Sequence, residues 1–200
     1  MTRALLLLGL TLAMLLGSTL GCGGGSPKGG KSLTQQYQDA LKIADASQRA
    51  RKLAALAKSH KAAGDVIGVG TTLAAAKEAA LAVKDPGSKS SALINVAEAS
   101  ASLDQSPDDI KSLLREAGKA LETVKDPDAR VPLLADLAAA TGKHLKNQTA
   151  AAAHLKTAEE SAAEITGSVT KVMALTKVAV AYGKLDSSAD AERVLTGATE

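Results

Sequence analysis

From about residue 32 onward, apolar side chains return every third or fourth position, the interval that lines up one side of an α-helix. The clearest stripe is Ile110, Leu113, Leu114, Ala117, Leu121 and Val124. Pro107 marks its start with Asp108 and Asp109, because proline suits the first helical turn and acids favour the N-terminal end of the dipole. Leu133, Leu134, Leu137 and Ala138 predict a second helix that stops near Gly142. Between the two lie Asp126 and Pro127. Proline lacks the amide hydrogen and turns the preceding residue away from helical geometry, so Asp126 closes one helix and Pro127 opens the next. No β-rich alternation interrupts the pattern, and the predicted class is all-α.

The pattern also copies itself. Val83, Lys84, Asp85 and Pro86 return as Val124, Lys125, Asp126 and Pro127, an offset of 41 residues. At that offset Val69 meets Ile110, Leu73 meets Leu114, Ala76 meets Ala117, Leu93 meets Leu134 and Ala97 meets Ala138. The matches sit at helical spacing on both sides of the Asp-Pro, which predicts a repeated pair of helices joined there. Fainter copies flank them. Ile43, Ala44 and Asp45 look like the same turn without its proline, and Leu185, Asp186, Ser187 and Ser188 look like the last one. Degenerate terminal copies are expected, because one face of an end unit has no neighbour. Residues 143–167 read as a longer alanine-rich helical stretch that breaks the spacing.

A repeat near 41 residues, two helices, an Asp-Pro turn and a basic residue three after the proline resemble bacterial HEAT-like repeats. The run DPDARVPLLADLAAA, residues 126–140, carries the resemblance best, and DPGSKSSALINVAEA, residues 85–99, is a looser copy. The resemblance covers about 80 residues and implies non-enzymatic hairpins that present a curved surface to partners. Tetratricopeptide arrays, with a period of about 34 residues and a tyrosine-rich signature, are set aside on both counts. The expected architecture is antiparallel hairpins stacked as a short α-solenoid. An irregular helical bundle built from one duplicated hairpin is the alternative.

Composition agrees with helix and narrows function. The chain is alanine-rich, has no phenylalanine or tryptophan, and keeps only two tyrosines, Tyr37 and Tyr182. Alanine is the strongest helix former. Net charge is only +3, with the signs interspersed and Arg49, Arg51, Lys52 and Lys58 the densest basic run. A nucleic-acid surface calls for a concentrated basic face, with stacking aromatics for single strands. No nucleic-acid partner is expected.

The first residues are of another kind. Arg3 is followed by an uncharged run, residues 4–16, and then by small residues. That order is the order of an export signal. The run is shorter than the roughly 20 residues of a helical membrane span. Thr19, Leu20, Gly21 and Cys22 resemble the lipobox of bacterial lipoproteins, with Thr19 standing where that family usually has leucine. The resemblance implies acylation of the Cys22 thiol, cleavage before it, and a mature chain that starts at the lipidated cysteine. Cys22 is the chain's single cysteine, so no internal disulfide explains it, and the glycines at 23–25 read as a leash. A secreted protein with an unpaired cysteine and an uncleaved N-terminal anchor are the alternatives. The expected organisation is an export signal at 1–21, a lipidated cysteine and flexible tether at 22–31, and a helical repeat domain at 32–200.

Candidate chemistry is sparse. GSPKGGKS, residues 25–32, fits the spacing of a phosphate-binding loop, but such a loop needs a strand before it, and the lipobox occupies that place. No nucleotide is expected. His60, His144 and His154 are not joined by other ligands at metal spacing, and no metal or other cofactor is expected. No nucleophile elbow or triad pattern is present. Asp108 with Asp109, and Glu159 with Glu160, are adjacent pairs that point in different directions on a helix. The reading is a cell-envelope lipoprotein, held in the cell membrane or an outer membrane by acyl chains on Cys22. It faces the periplasm or exterior and acts as a non-enzymatic binding or scaffold module toward an envelope protein. An envelope enzyme or substrate-holding subunit with a site between the helices, in which His144, His154 and Glu160 would converge, is the rival. A spacer without a ligand is the third possibility.

Overall fold

The computed structural model describes residues 30–198. The segment expected to be an export signal, Cys22 and nearly all of the expected tether lie outside the described residues. The helices are α1 (Leu33–Leu41), α2 (Ala46–Ala62), α3 (Val66–Leu81), α4 (Pro86–Ser102), α5 (Pro107–Leu121), α6 (Pro127–Leu145), α7 (Gln148–Ala163), α8 (Ser168–Lys184) and α9 (Ser188–Gly197). Among the described residues there is no strand. No described helix is long and apolar enough to cross a membrane.

Two kinds of turn alternate along the chain. One precedes each even-numbered helix, with N-cap residues Asp45, Asp85, Asp126 and Gly167. The three aspartates accept a hydrogen bond from a backbone N–H of the first turn, and Pro86 and Pro127 follow in the positions where no donor is needed. The other kind precedes each odd-numbered helix from α3 onward. It is marked by Gly64, Asp104, Lys146 and Asp186, each with φ between 54° and 74°. There the N–H of Asp65 donates to the His60 carbonyl, that of Gln105 to Ser100 and that of Ser187 to Tyr182, closing the ends of α2, α4 and α8 in Schellman fashion.

This alternation corrects three expectations. The stretch 143–167 does not break the repeat: it holds the end of α6, a turn at Lys146 and Asn147, and α7. From Asp126 the next even cap, Gly167, falls at the same 41-residue offset. The wording of the sequence hides it, because Gly167 and Ser168 stand where the Asp-Pro would be. Asp186 is not the last copy of the Asp85 turn. Its positive φ makes it the counterpart of Asp104. Finally, α6 runs through Gly142 rather than stopping at it, because glycine there makes room: a Cβ would collide with the Leu185 side chain.

The core repeats with the turns. Val69, Ile110 and Ala151 are buried at one position of successive odd helices. So are Leu73, Leu114 and Leu155, and Ala76, Ala117 and Ala158. In the even helices Leu56, Val96, Leu137 and Val178 occupy one buried position, and Ala57, Ala97, Ala138 and Ala179 another. Small side chains at these sites let the helices approach closely.

The tightest pairing is α2 with α3, α4 with α5, α6 with α7 and α8 with α9. The Asp-Pro turns therefore join neighbouring hairpins rather than the two arms of one. Each even helix also packs on the next even helix, whereas contacts between successive odd helices are sparse. Every unit touches only its neighbours, which is a solenoid and not a closed bundle. The even row is the more closely packed of the two and is termed the inner row. Grooves of about 220 and 210 Å³ open between α3 and α5 and between α5 and α7 on the other side.

Candidate functional site

The even row presents a nearly continuous inner surface, and its middle is built by α4 and α6. Ser91, Ile94, Asn95 and Glu98 from α4, Leu133, Asp136 and Ala139 from α6, and Lys184 from α8 enclose a shallow depression of about 200 Å³. These residues are polar, charged or aliphatic. Their register is the repeat itself: Asn95, Asp136 and Lys177 stand at successive 41-residue offsets on α4, α6 and α8. Lys177 Nζ donates to Asp136 Oδ2 at 2.8 Å, tying α8 to α6 along this surface. Toward the N-terminal end, Arg51, Lys52 and Lys58 of α2 are exposed, while Arg49 turns back to donate to the Ile43 carbonyl at 2.8 Å. The surface thus runs from a basic end through a hydroxyl, amide and carboxylate middle.

Polar links at the edges hold the units in register. Lys61 Nζ reaches Asp104 Oδ2 at 2.7 Å, and this hydrogen bond holds the Asp104 carboxyl below the usual range. Arg130 Nε donates to Ser161 Oγ at 3.0 Å, joining α6 to α7. Lys31 donates to Asp39 at 2.5 Å and Ser32 caps α1, so the last two residues of GSPKGGKS serve the first helix.

The residues expected for an enzymatic site do not come together. His144 is at the end of α6, His154 lines the outer groove between α5 and α7, and Glu160 is exposed on α7. Burial pushes both His144 and His154 below the ordinary histidine value. Asp108 and Asp109 sit exposed in the first turn of α5. Glu159, by contrast, is engaged by Tyr182 and Arg193. Among the described residues no cluster of three metal-ligating side chains is present. Asp85, Pro86, Asp126 and Pro127 occupy the inter-hairpin turns as caps and first helical residues. The inner-surface residues Asn95, Asp136 and Lys177 were not singled out from sequence. Extending the 41-residue offset beyond the buried positions finds them.

No protein-family model matches the chain, and no curated protein matches its sequence. Among solved structures, it is similar to the nearly identical TPR-like repeats of a protein assigned as a kinesin light chain from Podosopora anserina. The TM-score is 0.55 at 17% identity, over 84% of this chain and 82% of that one. At that identity the likeness is one of fold. It runs to tetratricopeptide-like repeats although the tyrosine signature is missing and the repeat is longer, because stacking of helical hairpins depends on the buried register and not on those features.

Proposed function

We propose that this protein is a non-enzymatic binding scaffold of the cell envelope, tethered through an acylated Cys22 and engaging a protein partner along the even-helix surface. The observation that carries the reading is the inner depression between α4 and α6. It offers Ser91, Asn95 and Asp136 as hydrogen-bonding groups beside Leu133 and Ala139. Rigid helices present these groups at a fixed 41-residue repeat, the arrangement in which an extended segment is read unit by unit.

Two experiments test the two halves. Labelled fatty acid fed to cells should enter the wild type and not Cys22→Ser; equal labelling of both would remove the anchor. Cross-linked capture from envelope extracts should yield a protein partner that is lost in an Asn95→Arg, Asp136→Arg double variant. It should be retained by Lys119→Glu on an outer helix. Loss in both, or a specific turnover abolished by the inner pair, would overturn the scaffold reading.

A further inference from the structure

The turn between α2 and α3 differs in kind from its counterparts. Residues 61–67 are all exposed, and Ala62, Ala63, Gly64, Val66 and Ile67 among them are apolar. Val66 is 81% and Ile67 83% exposed, side by side in the first turn of α3. At successive 41-residue offsets the pair becomes Pro107 and Asp108, Gln148 and Thr149, and Ala189 and Asp190. A polar residue stands at the second place in each of those units, and only here are both side chains large and aliphatic. The turn that carries them is firmly held. Gly64 takes a φ of 74°, the Asp65 N–H donates to the His60 carbonyl, and Asp65 Oδ1 accepts from the Gly68 N–H at 2.8 Å. Asp65 Oδ2 is hydrogen-bonded at 2.8 Å to Nδ1 of the buried His60. Glycine at 68 lets that ring lie there, because a Cβ would collide with it. The carboxylate of the turn is thus engaged from within, and Lys61 behind it reaches back to Asp104. What the turn shows outward is a rigid apolar tip.

We infer that this tip touches lipid: Val66 and Ile67 enter the interfacial layer of the bilayer that holds Cys22. The inference rests on the acylated Cys22 proposed above and not on the even-row surface. Reach selects the occupant. Residues 22–31 lie between the acyl attachment and the N-cap of α1, at most about 35 Å of chain. α1 packs on α2, whose 17 residues rise about 25 Å to the tip. The tip therefore belongs to the first hairpin after the anchor and lies within reach of the anchoring surface. Shape agrees with this. Val66 and Ile67 project from a turn and line neither the outer grooves nor the inner depression. They form a wedge, which a fluid interface closes around, whereas a helix or strand partner is read through a groove, a stripe or a sheet edge. Two aliphatic side chains moved out of water supply the driving force, and no unpaired carboxylate in the turn opposes it.

The test places the protein on phosphatidylcholine vesicles, held at Cys22 by its own acyl chains or, where the thiol is free, by coupling to a maleimide lipid. A missing acyl chain is thus read separately from a tip that stays in water. The chain has no tryptophan, so Ile67→Trp and Lys84→Trp each carry a single reporter, the second at the far end of α3. Emission from Ile67→Trp should shift to the blue on the vesicles. Brominated lipid should quench it about fivefold more strongly than Lys84→Trp. Adding Val66→Asp to Ile67→Trp should cut the quenching about fivefold. The melting temperature should hold, since the side chain is exposed and an acid suits the first turn of a helix. Equal quenching of the two reporters, or none at either, would overturn the proposal. So would a blue shift of Ile67→Trp in lipid-free solution that dilution removes, because the occupant would then be a second copy. A lipid-free blue shift brought on by added envelope proteins would overturn it in favour of a protein partner.

Discussion

The hydroxyl of Tyr182 donates to the Glu159 carboxylate at 2.7 Å, and Arg193 grips the same carboxylate through two nitrogens at 2.7 and 2.9 Å. One carboxylate on α7 thus ties together α8 and α9. Burial acts to raise the Glu159 pKa, but the donors from Arg193 and Tyr182 outweigh it and hold the group below the usual value. Burial, then Glu159, pushes the Tyr182 hydroxyl well above the ordinary phenol. In the folded chain Glu159 binds its proton less readily than when unfolded, so its stabilisation is full above the unfolded-chain value and lost as pH falls through the folded one. For Tyr182 the sign reverses: stabilisation is full below the ordinary phenol value and lost as pH rises through the folded one. Tyr182→Phe should cost about 1.5 kcal/mol at neutral pH. Urea melts between acid and neutral pH should show a shallower acid loss in Glu159→Gln than in the wild type.

Leu155 is fully buried at a position that Leu73 and Leu114 occupy in the neighbouring units. Leu155→Ala should cost about 2–5 kcal/mol through lost contact and a residual cavity. Because units touch only their neighbours, the loss should be local. Hydrogen exchange should speed up in α5 to α8 and remain near wild type in α2.

Lys146 holds a φ of 54° at the turn into α7, and Gly64 a φ of 74° at the equivalent turn into α3. Nothing lies within 4 Å of a Cβ placed on Gly64, so only backbone geometry separates the two sites. Lys146→Gly should stabilise by about 0.5–1 kcal/mol and Gly64→Ala should destabilise by about 1 kcal/mol. Thermal melts of the two single variants would read opposite shifts.

Asp126 accepts from the Asp128 N–H at 3.1 Å at the start of α6. Asp126→Ala should cost about 1 kcal/mol, and Asp126→Asn much less, because asparagine caps comparably. Chemical denaturation of the three proteins measures the order.

Lys31 and Ser32 complete the nucleotide-like GSPKGGKS, yet they bind Asp39 and cap α1. Calorimetric titration with Mg-ATP should give no saturable heat. Micromolar binding removed by Lys31→Ala would contradict this assignment.

Helical class, the 41-residue register and the Asp-Pro caps were legible because each depends on neighbours in the chain. Alanine's propensity, the 3.6-residue recurrence of Ile110, Leu114, Ala117 and Leu121, and proline's missing donor all act within a turn or two. The turns at Lys146 and Gly167 were missed for the complementary reason. Their local wording differs, and only the shared burial of Ala151, Leu155 and Ala158 with Ile110, Leu114 and Ala117 reveals the same unit. The inner surface was illegible in the same way. Asn95, Asp136 and Lys177 are ordinary surface residues until stacking sets them side by side, since no local rule brings positions 41 apart into contact.

The order of residues along the chain thus determines which segments coil and where they must stop. Which turns lie inside a hairpin and which between hairpins is decided by packing between helices. So is the choice of solenoid over bundle. Those outcomes depend on what lies against each helix face, and a face acquires its neighbour only when distant segments fold together.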